Sequence, residues 1–478
     1  MRRSTATLAV LVVAAVLARC KSTTEPVVPA SIVVTPVSLL LEVTASRQLT
    51  VRAYDAAGDE IASPKVVFVS TDEAVAPVDD QGRVTGVASG NCQIIVQAAA
   101  NAQVAVTVPT TVTRFHVATT PAQGVLTPGA TLQLSALVTA DNGQPIPGVA
   151  ISWSSTDGGV VSVTSAGTAQ GVDVGYAGIV ATVGLQGRDT AAIVVLHRIP
   201  VAGAAYGLDV AQNRLALVTL GNVTSVARID LATRMVTATI AVGGAPTQVA
   251  FNAANDSAYV TNQTSGTVGV LNVLGGTQVG TIAVAADPFV VDVSPGGAVV
   301  YVTGNEGSVF VIDAATRSLD TILHAGGSPN GLAFHPTSPV LYVSTFQTGL
   351  VVEVNTADNT LGRQFALGGL PQSLAVSLDG QELYVANESL QRVHVLSTAT
   401  GAVIGTIPLP GDAFGLALSP DGTTLYAGIP GAVAVINRAA RTVERMAPVG
   451  GLPRRISFDP GTGRAVVANA AGWVDILP

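Results

Sequence analysis

The C-terminal part of the chain, from about Val195 to Pro478, repeats one pattern with a period of roughly 41 residues. Each copy opens on Pro or Ala: Ala205, Pro246, Pro288, Pro329, Pro371, Ala413 and Pro453. A second run carries Tyr-Val or a weaker equivalent, as at Tyr259-Val260, Tyr301-Val302, Tyr342-Val343 and Tyr384-Val385. A third run ends in Asp, Asn or Ser, as at Asp230, Asn272, Asp313, Asn355, Ser397 and Asn437. Four short β-rich runs per copy, with Gly, Pro, Asp and Asn between them, describe a four-stranded sheet. A lone sheet leaves both faces uncovered, whereas stacking such sheets radially buries them and closes a ring. About seven copies fit. The last holds three strands, and the missing one stands at the front: Val195 to Gly203 resembles Met235 to Gly243. The expectation is a seven-bladed β-propeller over 195–478, closed by the strand 195–203.

Composition agrees. Aromatic residues are 4% and charged residues 11%, with 50 Gly and 26 Pro among 478 residues, which is an all-β, turn-rich profile. The formal net charge is −8, and the repeat segment has no Lys and is net acidic. Nucleic acid is therefore not an expected partner. The exception is a C-terminal group, Arg438, Arg441, Arg445, Arg454, Arg455 and Arg464, read either as solvated blade edges or as an anion patch.

Tyr259-Val260-Thr261-Asn262, followed by Val268-Gly269-Val270-Leu271-Asn272, resembles the YVTN family of β-propeller repeats. The resemblance implies the fold and leaves function open, because propellers host enzymes, binders and scaffolds.

Residues 30–194 form two copies of one module. Phe68 answers to Trp153, Ser70-Thr71-Asp72 to Ser155-Thr156-Asp157, and Gly82, Gly86 and Gly90 to Gly167, Gly171 and Gly175. Closely spaced strands with turns between them predict β-sandwiches over 30–109 and 110–194. The run from Val66 to Val87, with Ser152-Trp153-Ser154-Ser155-Thr156-Asp157 in the second copy, resembles the bacterial Ig-like group 2 (BIG2) domains. That resemblance implies stalk or adhesive modules on cell-surface proteins. Trp153 is expected in the core, with a sugar-stacking platform as its other role. Ala191 to Val194 run almost directly into the propeller, so little or no flexible linker is expected there.

Arg2-Arg3 followed by the apolar Leu8–Leu17 reads as a signal peptide over 1–20, too short to span a bilayer well. Leu17-Ala18-Arg19-Cys20 resembles a lipobox, which implies lipidation at Cys20; cleavage after Ala18, releasing a soluble protein, is the competing outcome. Residues 21–29 make a tether. The chain is thus expected to be exported, as a periplasmic or surface lipoprotein or a secreted protein. Contact with membrane would come only through the lipid. Cys92 lies in an apolar strand as a small buried hydrophobe.

No nucleophile elbow, P-loop, dinucleotide fingerprint or His-Glu-x-x-His occurs, and His116, His197, His324, His335 and His394 share no motif. No catalytic residue, cofactor or metal site is assigned. The candidate ligand-binding ring is the residue after each repeat's opening Pro or Ala: Tyr206, Thr247, Phe289, Asn330, Gln372, Phe414 and Arg454. It offers aromatic and amide groups and one cation, with Asp287 and Asp412 as the only nearby acids. Such a ring suits binding better than acid–base catalysis. The expected function is a non-enzymatic cell-envelope or surface binding or adhesion protein, whose propeller face takes a protein, glycan or small ligand. The alternative is a propeller enzyme, a lactonase-like hydrolase or lyase, with Ig-like spacers. A purely structural spacer is the third reading.

Overall fold

The computed structural model describes residues 28–99, 101–284 and 287–478. The signal segment, Cys20 and residues 21–27 of the tether lie outside the described residues. The chain divides into two compact units: residues 28–116 with 138–149 and 183–187, and residues 117–137 and 150–182 with 188–478. Among the described residues the one helical element is a single turn, Gln263–Ser265, and no helix is long and apolar enough to cross a membrane.

In the first unit, a four-stranded sheet orders Leu39–Glu42, Asn101–Thr113, Gly90–Ala98 and Val66–Ser70, with the first pair parallel. Two small sheets, Ser31–Thr35 with Thr50–Tyr54 and Ser46–Gln48 with Arg83–Thr85, cover it. Alternation along Gly90–Ala98 puts Cys92, Ile94, Val96 and Ala98 inside, the period a one-sided strand requires. Burial pushes the Cys92 thiol up, which suits an inert core residue. Buried Glu42 accepts the backbone N–H groups of Leu185 and Gln186, the latter at 3.0 Å.

The second module repeats this order with Gln123–Leu126, Gly187–Val195, Gly175–Val183 and Ser152–Ser155, again with a parallel first pair. Trp153 packs on its core, and a Cβ on Gly167 would lie 2.9 Å from the indole. Gly82 stands in the same relation to Phe68, where a Cβ would lie 2.5 Å from the ring. Both glycines have positive φ, +83° and +80°, so the aromatic lid and the glycine beneath it form one device used twice. Trp153 is thus a core residue.

Seven four-stranded sheets follow, with first strands Ala205–Val210, Pro246–Phe251, Pro288–Val293, Pro329–Phe334, Pro371–Val376, Leu416–Leu418 and Pro453–Phe458. Each first strand lies against the next, and the last lies against Ala205–Val210, so the ring is closed. Apolar faces meet between blades; Tyr301, Tyr342 and Tyr384 are fully buried there. The Tyr301 hydroxyl still finds a partner, donating to Asn359 of the next blade at 2.6 Å. Buried Asn387 and Asn469, which end second strands, each donate to one glycine carbonyl of the preceding Gly-Gly turn (2.8 Å) and accept the N–H of the residue after it. In these two copies the amide satisfies a turn that no strand can pair, whereas Asn262 at the same place donates to Thr267 instead.

The seventh sheet orders His197–Pro200, Trp473–Ile476, Ala465–Asn469 and Pro453–Phe458, so both ends of the propeller segment build one blade. The closing strand is only His197–Pro200, because Val195 still belongs to the second module's last strand. Leu196 alone separates the two strands. It is fully buried in a cluster with Val194, Val433, Val449, Ile456 and Leu477, where module and propeller share a core. Burial around this seam extends to charge. Arg198 Nε donates to Asp475 at 2.7 Å and its Nη2 to Val449 O at 2.6 Å, and the guanidinium lies 4.1 Å from the Trp473 ring centroid. Trp473 Nε1 also donates to Asp475, at 2.9 Å. One step away, Arg214 of blade 1 grips Asp459 of blade 7 with two bonds of 2.8 and 2.7 Å.

Asp475 is fully buried, and burial pushes its carboxyl up to about 6 although Arg198 pulls the other way. The folded protein therefore holds a proton there that the unfolded chain releases at about 3.9, so stability falls as pH rises between those values. Arg198→Met removes the pull and extends that fall upward. Denaturant unfolding should show a small penalty at pH 5 that grows to roughly 3 kcal/mol by pH 8.

Candidate functional site: the propeller mouth and axial chamber

Four of the seven ring positions meet on the axis, three of them aromatic. Tyr206 of blade 1 stacks edge-on with Phe289 of blade 3, centroids 6.0 Å apart, and with Phe414 of blade 6 at 5.9 Å. None of these blades adjoins blade 1, so Tyr206 reaches across the opening and the aromatics plug it. Arg454 lies over this plug, 4.3 Å from the Phe414 centroid and 5.3 Å from that of Tyr206. Its Nε is buried without a hydrogen-bond partner among the described residues. Cation–π contact is the attraction left to that cation.

Asn330 donates to Gln372 Oε1, and Gln372 Nε2 donates to Glu388. Thr247 stands apart from the opening. Its hydroxyl lies in the blade interface, 2.6 Å from the Phe289 carbonyl and 2.9 Å from the Thr261 hydroxyl, so it is framework. Asp412 is exposed at the rim with Phe414, Arg454 and Glu388, and Gln391 donates to it at 3.0 Å. The arginines near the C-terminus are dispersed. Arg438 and Arg441 pair with Glu382 across a blade boundary, Arg445 covers the Tyr176 ring at 4.6 Å, and only Arg454 and Arg455 reach the axis. The histidines stay apart too: His116 pairs with Asp141, and His335 bonds the Gly380 carbonyl.

Behind the mouth, the expectation that Asp287 and Asp412 are the only nearby acids is corrected. Glu388 is one further acid. Two more, Asp209 and Asp292, line an axial chamber of about 150 Å³ with Arg455, Gln248, Leu332 and a valine-rich wall. The reason is a β-bulge. In each blade except the sixth, pairing of the first strand with the second shifts register just after the opening Pro or Ala. A bulge reverses the alternation beyond it. The ring residue therefore faces the axis one place after the Pro, but farther in the axis is faced two and four places after it.

The fourth-place residues are Asp209, Ala250, Asp292, Ala333, Ala375, Ala417 and Ser457. Five small residues and two acids are a contrast that aligning the copies would have exposed. At the second place, Gly207, Gly331 and Gly415 let the next blade's carbonyl approach; a Cβ there would come within 2.3–2.4 Å of it. Gln248, Ser373 and Arg455 are the departures from glycine that carry polar groups.

The chamber's charges are poorly matched within the protein. Arg455 Nη1 donates to Ser373 Oγ at 3.2 Å, while Arg455 Nε and Gln248 Oε1 are buried with no partner among the described residues. The ion pairs of the described residues include none at Arg455. Asp209 accepts the N–H groups of Val210 and Phe251 at 2.8 and 2.9 Å, and Asp292 that of Val293 at 2.8 Å. These carboxylates and Arg455 are half-buried by surface area, because the chamber is an open space, and residues of blades 1, 2, 3, 4 and 7 line it. Burial pushes Asp209 up to about 6 and Asp292 up to about 7, with their mutual repulsion adding to the second. Burial lowers Arg455.

Three comparisons bear on this architecture. Residues 29–108 and 115–195 match the model of the bacterial Ig-like domain (group 2), so both modules are Ig-like domains of that type. No curated protein matches the chain. Among solved structures, a chain of Kuenenia stuttgartiensis hydrazine synthase is similar at 18% identity and a TM-score of 0.54, over 57% of this chain and 95% of that one. At that identity the likeness is one of fold.

Because both chamber acids hold protons more tightly than in the unfolded chain, they reduce stability as pH rises from about 4 to about 7. Asp292→Asn should leave stability near pH 4 unchanged and raise it by about 1–2 kcal/mol at pH 7.5. Chemical denaturation of variant and parent at the two pH values measures this.

Proposed function

We propose that the chain is a non-enzymatic binding or adhesion protein of the bacterial cell envelope or surface, in which Ig-like modules carry a YVTN-type propeller whose mouth engages a protein, glycan or small ligand. Ig-like modules of this group, which occur in surface or exported bacterial proteins, support the location. Lipidation at Cys20 would supply the membrane attachment. The observation that carries the reading is the mouth itself. Arg454 stacks on Tyr206 and Phe414 with its Nε buried and unpaired among the described residues, a cation with no ion-pair partner there at the mouth.

A second reading, a hydrolase or lyase of the propeller class, draws on the two chamber acids with raised pKa values, the kind of pair that acid–base chemistry uses. Stoichiometric Ca, Mg or Zn in the purified protein would favour it. Among the described residues no group of three or more His, Cys, Asp or Glu is placed to hold a metal.

The test is capture from envelope extract by the full chain, against a full chain carrying Phe289→Ala, Asn330→Ala and Arg454→Ala. The reading predicts a component retained by the parent and lost, at least tenfold, by the triple variant. Equal retention by both, or none by either, contradicts it.

A further inference from the structure

The axial chamber presents both signs of charge, and although Arg455 and Asp292 attract one another, no close ion pair joins them among the described residues. Among the described residues, Arg455 offers a guanidinium whose only bond is to Ser373, with its Nε unused, while Asp209 and Asp292 receive bonds only from backbone N–H groups. Gln248 Oε1 adds an acceptor that has no donor. A simple anion would suit Arg455 but would be repelled by two acids. A divalent cation would suit the acids but would be repelled by Arg455, and the set lacks a third anionic or imidazole ligand. A ligand bearing both charges matches both signs at once. The volume of about 150 Å³ limits its size, being about that of five waters at ~30 Å³ each. Leu332, Val249, Val290 and Val291 supply apolar wall for a short hydrocarbon segment between the charges.

We propose that this chamber binds a small zwitterion of amino-acid size, its carboxylate on Arg455 and its ammonium on Asp209 and Asp292, with Gln248 accepting from the ammonium. A guanidinium grips a carboxylate with two parallel bonds, and charge-assisted bonds in a walled site are the strong ones. The raised carboxyl groups fit a site that lacks its counter-ion: a bound ammonium would draw both back down. This deepens the binding reading above by naming a ligand class for the channel that the mouth guards.

Calorimetric titration of the full chain with L-alanine and with γ-aminobutyrate tests the assignment, with propionate and propylamine as single-charge controls. At least one zwitterion should bind saturably at one site, at least tenfold more tightly than either control. Arg455→Gln and Asp292→Asn should each weaken it tenfold or more; Asp292→Asn is expected to fold at least as well as the parent, so its loss of binding is not a loss of structure. No saturable binding to the parent, equal binding of propionate or propylamine, or unchanged affinity in Asp292→Asn would overturn the proposal. The failure is separable from failure at the mouth. A zwitterion bound by a chain that captures no envelope component keeps the chamber assignment, and capture without zwitterion binding overturns it.

Discussion

Everything at the centre of this molecule depends on the ring being closed, and closure is concentrated in one seam. Blade 7 takes three strands from the end of the chain and one from the start of the propeller segment. Main-chain bonds over a strand as short as His197–Pro200 are few. The side chains add what the backbone lacks: Arg198 joins Asp475, Val449 and Trp473, and Arg214 ties blade 1 to Asp459. A fully buried carboxylate such as Asp475 is costly alone and tolerable only with its guanidinium beside it. The closing pair thus gives up some stability at neutral pH in exchange for a specific partner for the first strand. Leu196, one residue upstream, extends the seam into the second Ig-like module, so the strand that closes the ring is also the one that fastens the module to it.

Closure in turn creates the chamber's electrostatics. In an open sheet, Asp209, Asp292 and Arg455 would face water and behave as ordinary ions. In a chamber lined by blades 1, 2, 3, 4 and 7, they strain against burial instead. Asp209 does tie blade 1 to blade 2 through the Phe251 N–H, but the small residues at the same repeat positions in other blades show that a blade can be built without a charge there. Charged groups that lower stability at places where other blades carry small residues are what a binding site contributes to a scaffold.

Much of this fold was legible in the sequence, because the repeat states it several times. The opening Pro and the Tyr-Val pair each occupy a place with a physical reason: a first-strand start and a buried inter-blade face. The doubled modules were equally plain, since Gly82 with Phe68 and Gly167 with Trp153 repeat one steric requirement. The candidate site was legible only in part. Tyr206, Phe289, Phe414 and Arg454 could be picked by position, but that three aromatics from non-adjacent blades would meet on the axis depends on the ring's diameter, which no local pattern encodes. Thr247 shared the position and not the role. Asp209 and Asp292 were missed because strict alternation points them into the blade interface; the bulge that turns them to the axis shows only in the pairing of strands.

The most direct test of the account is the titration of Asp209 and Asp292 themselves, followed by carboxyl ¹³C NMR on aspartate-labelled full chain and assigned with the single Asn variants. A closed, walled chamber predicts midpoints well above the usual carboxylate range, about 6 for Asp209 and about 7 for Asp292. Midpoints near 4 for both would mean that bulk water fills the axis, and the chamber would then be no more than a solvated gap between blades.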